Sequence, residues 1–160
     1  MRPTGQVIGV NNPALIKTFT EVLNQMGIQR AIVLNGREKL DEAGLADITD
    51  LAILVNEQMH LRELNPEELG FKPTPTFELR GGDVQENVEI LRAVLQGKGT
   101  QAQQNVVALN TALALYVGEA IPDTDNNYLN TFAKGVAIAR DILQSGVAWT
   151  KFSRPKTFES

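Results

Sequence analysis

The sequence QVIGVNNPALIKTFTEVLNQMGIQRAIVL, residues 6–34, predicts a strand, a helix and a second strand. Apolar, strand-type residues at 6–10 and 28–34 flank a segment in which apolar side chains recur at helical spacing. The helix is predicted to begin at Pro13, after asparagines typical of an N-cap, and to end at Gly27. Two strands joined through one helix lie parallel, with a right-handed crossover. The stretch therefore predicts the core of an α/β fold.

One face of this predicted helix is apolar, and it consists of Leu15, Ile16, Phe19, Val22, Leu23 and Met26. A hairpin is predicted from runs at 50–55 and 59–64, followed by a short capped helical turn at 65–70. Further helices are predicted from Asp83 to Gly97 with an apolar stripe of Val84, Val88, Leu91 and Leu95, then at 101–117 and at 131–144. We therefore expect an α/β fold with a small, mostly parallel sheet, an edge hairpin, covering helices and a mainly helical C-terminal half.

The composition limits the classes of function. The 160 residues fit one domain, for which we expect residues 1–150, with a loose tail at 151–160. A net charge of −4 argues against general nucleic-acid binding, and no apolar run approaches the roughly 20 residues of a membrane span. Cysteine is absent, and no apolar segment typical of a secretory signal follows Arg2. We therefore expect a cytoplasmic protein without disulfides.

A polar, glycine-containing segment, Asn35-Gly36-Arg37-Glu38-Lys39-Leu40-Asp41-Glu42, follows the second predicted strand. Open α/β sheets bind ligands beyond the carboxyl ends of their strands, so carboxylates placed there are within reach of a ligand or a metal. The adjacent acids Asp41 and Glu42 suit Mg²⁺, which prefers oxygen ligands and is usually shared with substrate phosphates. A solvated turn would contain the same residues, and the local pattern leaves both readings open.

Three other polar features have simpler explanations. His60, the single histidine, has no acidic, serine or histidine partner at a recognisable spacing, so we expect it on an edge strand or at the surface. Asp83 and Glu86 have the spacing of a capping box; a phosphate could bind the same helix start, but Asp83 competes for the donors, which favours a structural cap. Residues 123–127 are predicted to form a polar loop without the glycine and glutamate of a calcium loop.

Several motifs, in their order and spacing over about residues 2–151, resemble one family. They are Arg2-Pro3-Thr4-Gly5-Gln6-Val7-Ile8-Gly9-Val10, Gly36 with Leu40-Asp41-Glu42, Arg80-Gly81-Gly82-Asp83 with Glu86-Asn87, Leu109-Asn110 with Ala112 and Ala114-Leu115-Tyr116-Val117, and Gly135-Val136 with Ser145-Gly146. Together they resemble the C-terminal α/β part of the anthranilate phosphoribosyltransferase family, which belongs to the glycosyltransferases that include pyrimidine nucleoside phosphorylases.

The resemblance implies that Asp41 and Glu42 coordinate Mg²⁺ bound to phosphoribosyl pyrophosphate. It also implies transfer of a phosphoribosyl group to anthranilate, a step of tryptophan biosynthesis. Asn35 stands where family members commonly carry a histidine, and we assign it no role. No catalytic residue is assigned, because the family's glycine-rich pyrophosphate loop and its anthranilate-binding arginine lie upstream of the matched segment.

We therefore expect a C-terminal catalytic-domain fragment that is inactive alone, either a truncated product or one half of a split enzyme with a separate N-terminal half. The alternative is a non-catalytic binding or interaction domain that retains the family fold.

Overall fold

Four strands and five α-helices make up residues 3–121 and 127–154, the part of the chain that the computed structural model describes. The strands are β1 (Gly5–Gly9), β2 (Arg30–Gly36), β3 (Thr49–Val55) and β4 (Gln58–Leu64). The helices are α1 (Leu15–Gln25), α2 (Val84–Leu95), α3 (Gln101–Val117), α4 (Tyr128–Ser145) and α5 (Val147–Phe152), with 3₁₀ turns at Pro66–Leu69 and Thr76–Leu79. No helix of the described ranges is long and apolar enough to cross a membrane.

The sheet has the strand order β1-β2-β3-β4. β1 and β2 are parallel and joined through α1, which confirms the predicted strand–helix–strand unit. β3 and β4 form the predicted edge hairpin, whose turn residues Asn56 and Glu57 both have positive φ, as a type I′ turn requires. Because β3 is antiparallel to β2, the sheet contains one parallel pairing, whereas the sequence predicted a mostly parallel sheet. The connection through residues 37–48 contains no crossover helix and returns the chain from the same end of the sheet.

β2 is buried on both faces. Ala31 and Val33 pack with α1 on one face, and Ile32 and Leu34 pack with α3 and α4 on the other. All four side chains are at most 1% exposed. The strand therefore belongs to both hydrophobic layers and holds the two sets of helices together.

The apolar face of α1 is only half covered. The helix begins at Leu15, two positions after the predicted Pro13, and the Asn12 side chain accepts a 3.0 Å hydrogen bond from the Ala14 N–H just before it. Ile16 and Leu23 are buried against the sheet. Phe19, Val22 and Met26, predicted to be buried with them, are instead 40%, 47% and 57% exposed. The reason is that α1 packs mainly on β2 and β3, so the described chain covers the side of the helix that is turned from the hairpin only in part.

The predicted apolar stripe of α2 is covered only at its end, where Leu95 packs against the core. Val84, Val88 and Leu91 are exposed, while Val94, next to that stripe, is buried and Ile90 packs against the core. The helix ends at Leu95, two residues before the predicted Gly97, which follows the C-cap Gln96 with a φ of +71°.

The C-terminal helices largely follow their predicted ranges. The α3 range agrees with its prediction, and α3 packs closely on α4 because Gly135 lies against Ala112. α5 continues to Phe152, so the first residues of the predicted tail are helical, and residues 155–160 of that tail lie outside the described residues. Most of the predicted polar loop at 123–127 also lies outside them, but its last residue, Asn127, caps α4.

We predict that Leu23→Asp unfolds the protein, while the neighbouring Val22→Asp leaves it folded. Leu23 is 5% exposed, so the new carboxylate would be buried without a partner and the packing of the leucine would be lost. Lost packing and the unpaired buried carboxylate together cost about 5 kcal/mol or more, which reaches the lower end of a total stability of roughly 5–15 kcal/mol. The exposed Val22 site should change stability by less than about 1 kcal/mol. Urea denaturation of both variants measures the difference, and equal midpoints would contradict the packing of α1.

Candidate metal site at the strand ends

The two candidate metal ligands lie in the connection that follows β2. The chain turns back at once, because the Gly36 N–H donates to the Leu40 carbonyl (2.9 Å) and the Lys39 N–H donates to the Gly36 carbonyl (2.9 Å). Lys39 has a φ of +70°, a left-handed conformation that fits a tight turn. Asp41 and Glu42 follow directly, and both are exposed. The turn thus places the pair of acids beside the carboxyl end of β2.

Gly9 brings the carboxyl end of β1 to the same place. The backbone of Asp41 passes so close to Gly9 that a Cβ atom there would lie 1.7 Å from the Asp41 carbonyl oxygen. Any other residue at position 9 would displace the connection. The buried Asn35 side chain joins the two strand ends by donating a 2.6 Å hydrogen bond to the Val10 carbonyl. Asp41 therefore stands at the carboxyl ends of both parallel strands, as the sequence predicted for one.

A side chain from α3 fixes the residue after the acidic pair. The Asn110 amide oxygen accepts a 3.1 Å hydrogen bond from the Ala43 N–H, and its NH₂ group donates to the Ala43 carbonyl at 2.8 Å. The same NH₂ group donates to the Val106 carbonyl within α3, which orients the amide. Ala43 is completely buried. The two hydrogen bonds fix the backbone of the connection at Ala43. The neighbouring carboxylates of Asp41 and Glu42 are therefore exposed to solvent on a backbone that is held in place.

Two further charged residues of the connection have structural partners. Glu38 accepts hydrogen bonds from the Ala46 N–H (3.0 Å) and from the Thr76 hydroxyl. Arg37 makes a two-point contact with Asp50 on β3, at 3.1 Å and 2.7 Å, and also donates to Glu63 on β4.

Arg37 thus ties the start of the connection to β3 and β4, and Glu38 ties that start to Ala46 near the other end. The hydrogen bond from Arg37 to Asp50, and after it the one to Glu63, also raise the pKa of Arg37 above its ordinary value.

The electrostatics of the acidic pair favour a cation. Partial loss of water around the Glu42 carboxyl raises its pKa above the ordinary value, and a hydrogen bond and the charge from Asp41 raise it further. A divalent cation placed between the two groups would remove this repulsion. In residues 3–121 and 127–154 no cluster of three or more acidic, histidine or cysteine side chains could surround a metal. Asp41 and Glu42 are oxygen ligands of the kind Mg²⁺ prefers, and water or ligand oxygens would complete its shell.

The remaining sequence candidates are structural. His60 is exposed on the edge strand β4, as predicted. Asp83 caps α2 by accepting a 2.9 Å hydrogen bond from the Glu86 N–H, which confirms the structural cap. Asn87 holds the preceding turn as Asn110 holds Ala43: its amide accepts from the Gly82 N–H (3.0 Å) and donates to the Gly82 carbonyl (3.1 Å).

The role of Asn110 was missed, because the residues it joins are 67 positions apart and carry no local signal of the contact. The one signal in the sequence was that Leu109-Asn110 is among the motifs that carry the family resemblance.

The fold and the acidic site together define a class of protein. Residues 1–149 match the family described as "Glycosyl transferase family, a/b domain", and the chain belongs to that family. Over 158 residues it is 61% identical to anthranilate phosphoribosyltransferase 1 of Nostoc sp., and it is 51% identical to anthranilate phosphoribosyltransferase of Synechococcus elongatus. Each match covers 99% of this chain and 43% of the relative, so the chain spans less than half the length of these relatives.

Solved structures give the same result for the fold. Anthranilate phosphoribosyltransferase from Thermus thermophilus matches with a TM-score of 0.74 and 30% identity, over 89% of this chain and 39% of that one. The Saccharomyces cerevisiae enzyme in complex with PRPP and Mg matches with a TM-score of 0.76 and 20% identity, over 91% of this chain and 40% of that one. The resemblance stated from the sequence is thus confirmed.

We predict that Asn110→Ala frees the connection, whereas Asn87→Ala leaves it in place. Removing the Asn110 amide breaks two hydrogen bonds to Ala43, each contributing about 1 kcal/mol, so amide exchange at Ala43 should accelerate about thirtyfold. Asn87→Ala removes the equivalent contacts from Gly82 and should accelerate exchange there instead. Hydrogen–deuterium exchange with residue resolution measures both, and unchanged protection of Ala43 in Asn110→Ala would show that the amide does not hold the connection.

We also predict that Glu42→Gln raises the thermal midpoint at pH 7 but not at pH 3.5. Because the folded-state pKa of Glu42 is raised, the stability linked to its protonation is complete below its unfolded pKa of about 4.3 and is lost as the pH rises through the folded value. A glutamine cannot ionise, so the variant keeps this stability at pH 7. For an exposed pair of acids we expect the thermal midpoint to rise by about 1–3 °C.

Scanning calorimetry without metal measures the difference, with the exposed Glu21→Gln as control. A midpoint that falls at pH 7 in Glu42→Gln would contradict the repulsion.

Proposed function

We propose that this chain supplies the magnesium-binding α/β part of an anthranilate phosphoribosyltransferase. The observation that carries the proposal is the position of Asp41 and Glu42, an exposed acidic pair at the carboxyl ends of two parallel strands. This acidic pair belongs to a chain that is 61% identical to an anthranilate phosphoribosyltransferase. The reaction proposed is the transfer of a phosphoribosyl group from phosphoribosyl pyrophosphate to anthranilate, in tryptophan biosynthesis. The cytoplasmic location expected from the sequence belongs to the same proposal.

Asp41 and Glu42 would hold the metal through their carboxylate oxygens. Magnesium bound there would screen the negative charge that develops on the pyrophosphate leaving group. The protein's contribution is to keep the two carboxylates in place before binding. Gly9, Asn110 and Arg37 fix the surrounding backbone, so little conformational entropy is lost when the ligand binds.

Two carboxylates form an incomplete magnesium site. Mg²⁺ requires six oxygen ligands and is usually bound by one or two carboxylates together with substrate phosphates and water. The pair should therefore bind Mg²⁺ weakly by itself and more tightly in the presence of a pyrophosphate ester. The sequence left open a non-catalytic domain with the same fold. Such a domain would keep the hydrogen bonds that hold the connection, but its Mg²⁺ affinity would not need to rise with a pyrophosphate ester.

We predict that phosphoribosyl pyrophosphate increases the Mg²⁺ affinity of the parent chain at least about tenfold, and that Asp41→Asn with Glu42→Gln abolishes the increase. The matched control is Glu67→Gln with Glu68→Gln, which neutralises another exposed, adjacent acidic pair on the 3₁₀ turn at Pro66–Leu69. Titration calorimetry with Mg²⁺, in the presence and absence of the ester, measures all three proteins. Equal responses from the parent and the Asp41 and Glu42 double variant would remove the site, and loss of the response in the control would make it nonspecific.

A further inference from the structure

A lysine occupies the position of the connection where glycine would fold most easily. Gly36 and Leu40 form an antiparallel bridge, so residues 37–39 are a three-residue hairpin loop. The third residue of such a loop is left-handed, and glycine is preferred there because it has no Cβ atom. Lys39 has a φ of +70° at this position, and its N–H donates to the Gly36 carbonyl at 2.9 Å. The backbone of the loop is therefore strained at a residue that directly precedes the acidic segment.

The Lys39 ammonium is free, whereas the neighbouring charges of the loop are not. Arg37 and Glu38 are held by hydrogen bonds from the sheet and from the far end of the connection. The Lys39 side chain is exposed and makes no hydrogen bond or ion pair with any residue of 3–121 and 127–154. Among the charges at 37–42, Lys39, Asp41 and Glu42 are thus the ones without a structural partner elsewhere in the described chain.

The free lysine and the acidic pair are close enough to share one ligand. Lys39 and Asp41 are separated by Leu40 alone, so their Cα atoms lie no more than about 7 Å apart. Both side chains are exposed, and both belong to a segment whose backbone is fixed by the Gly36 bridge on one side and by Asn110 on the other. A metal-bound ligand a few ångströms across would therefore meet the carboxylates and the ammonium together.

The acidic pair by itself opposes the ligand that the proposed function requires. A pyrophosphate ester is a polyanion, and carboxylates repel it except through the metal that they share with it. One Mg²⁺ does not neutralise two carboxylates and a pyrophosphate group together. An ammonium group nearby reduces this excess negative charge, and its three N–H groups form charge-assisted hydrogen bonds with phosphate oxygens. The free charge at Lys39 has the sign and the chemistry that the site lacks.

We propose that Lys39 binds the pyrophosphate group of the metal-bound ligand, as the positive member of the site formed with Asp41 and Glu42. The proposal rests on the function proposed above. It also accounts for the strained backbone, because strain at a functional residue persists when its side chain is needed at that place. A lysine that served only solubility would be equally effective at an unstrained surface position.

The test is titration calorimetry of the full chain with Mg²⁺ alone, and with inorganic pyrophosphate at a fixed excess of Mg²⁺. Lys39→Gln and Lys39→Gly should lower the pyrophosphate affinity about tenfold, because a charge-assisted hydrogen bond is lost. The same variants should raise the affinity for Mg²⁺ alone about two- to threefold, because a like charge is removed. Lys39→Arg keeps the charge and should retain most of the pyrophosphate affinity. A purely structural role of Lys39 would not produce two changes of opposite sign.

Folding is controlled within the same set of variants. Glycine adopts the left-handed conformation without strain, so Lys39→Gly should raise the thermal midpoint by about 1–4 °C while it weakens pyrophosphate binding. The matched control is Lys98→Gln, which neutralises an exposed lysine in the turn between α2 and α3 and should leave both affinities unchanged. Equal pyrophosphate affinities of the parent and Lys39→Gln, or an equal loss in Lys98→Gln, would overturn the proposal.

A parallel titration with phosphoribosyl pyrophosphate separates this proposal from the function on which it rests. A response to the ester that needs Asp41 and Glu42 but not Lys39 would support the function and overturn the role of the lysine. Binding of inorganic pyrophosphate that needs Lys39, without binding of the ester, would support the lysine contact and contradict the function. A parent chain that binds neither ligand in the presence of Mg²⁺ would overturn both.

Discussion

The burial of β2 on both faces is the constraint on which the rest of the structure depends. Ala31 to Leu34 carry four consecutive apolar side chains, and a strand of this kind requires cover on both sides. α1 supplies one side, while α3 and α4 supply the other. Because the strand cannot shift by one residue without exchanging its two faces, its register also fixes the position of Asn35 and Gly36 at its end. The packing of β2 in the core therefore determines where the candidate site lies.

The candidate site is built mainly from backbone contacts. Gly9 admits the Asp41 backbone where a Cβ atom would clash with it, and the Asn110 amide holds both polar backbone groups of Ala43. An amide side chain is suited to this task, because it offers one donor and one acceptor side by side, as a neighbouring strand would. Asn87 performs the same task at Gly82. The two carboxylates that could bind a metal are thereby left exposed, while other acids of the same region, Glu38 and Asp50, are used in hydrogen bonds that hold the connection.

In the part of the chain that the structure describes, β1 pairs with β2 alone, and the exposed apolar residues of α1 lie on the same side of the molecule. Elsewhere the hairpin protects the opposite edge of the sheet with the polar and charged residues of β4. The two edges of the sheet therefore differ in character, since β1 is uncharged and β4 is polar and charged.

The sequence by itself determined the elements whose signals are local. The range of α3, the hairpin around Asn56, the cap at Asp83 and the helix end at Gly97 all depend on residues within one or two turns of each other. The acidic pair at 41–42 was also placed at a strand end from the sequence, although its binding of Mg²⁺ stays a prediction.

Only the tertiary structure decided which apolar faces are covered, how the sheet continues after β2, and what holds the connection. Hydrophobic periodicity gives the side of a helix that is apolar but not the presence of a neighbour, so Phe19 and Val84, on predicted apolar faces, are exposed. The pairing of β3 with β2 and the contact of Asn110 with Ala43 join distant parts of the chain. Their free energy arises only when the whole core has assembled, and no local pattern of residues records it.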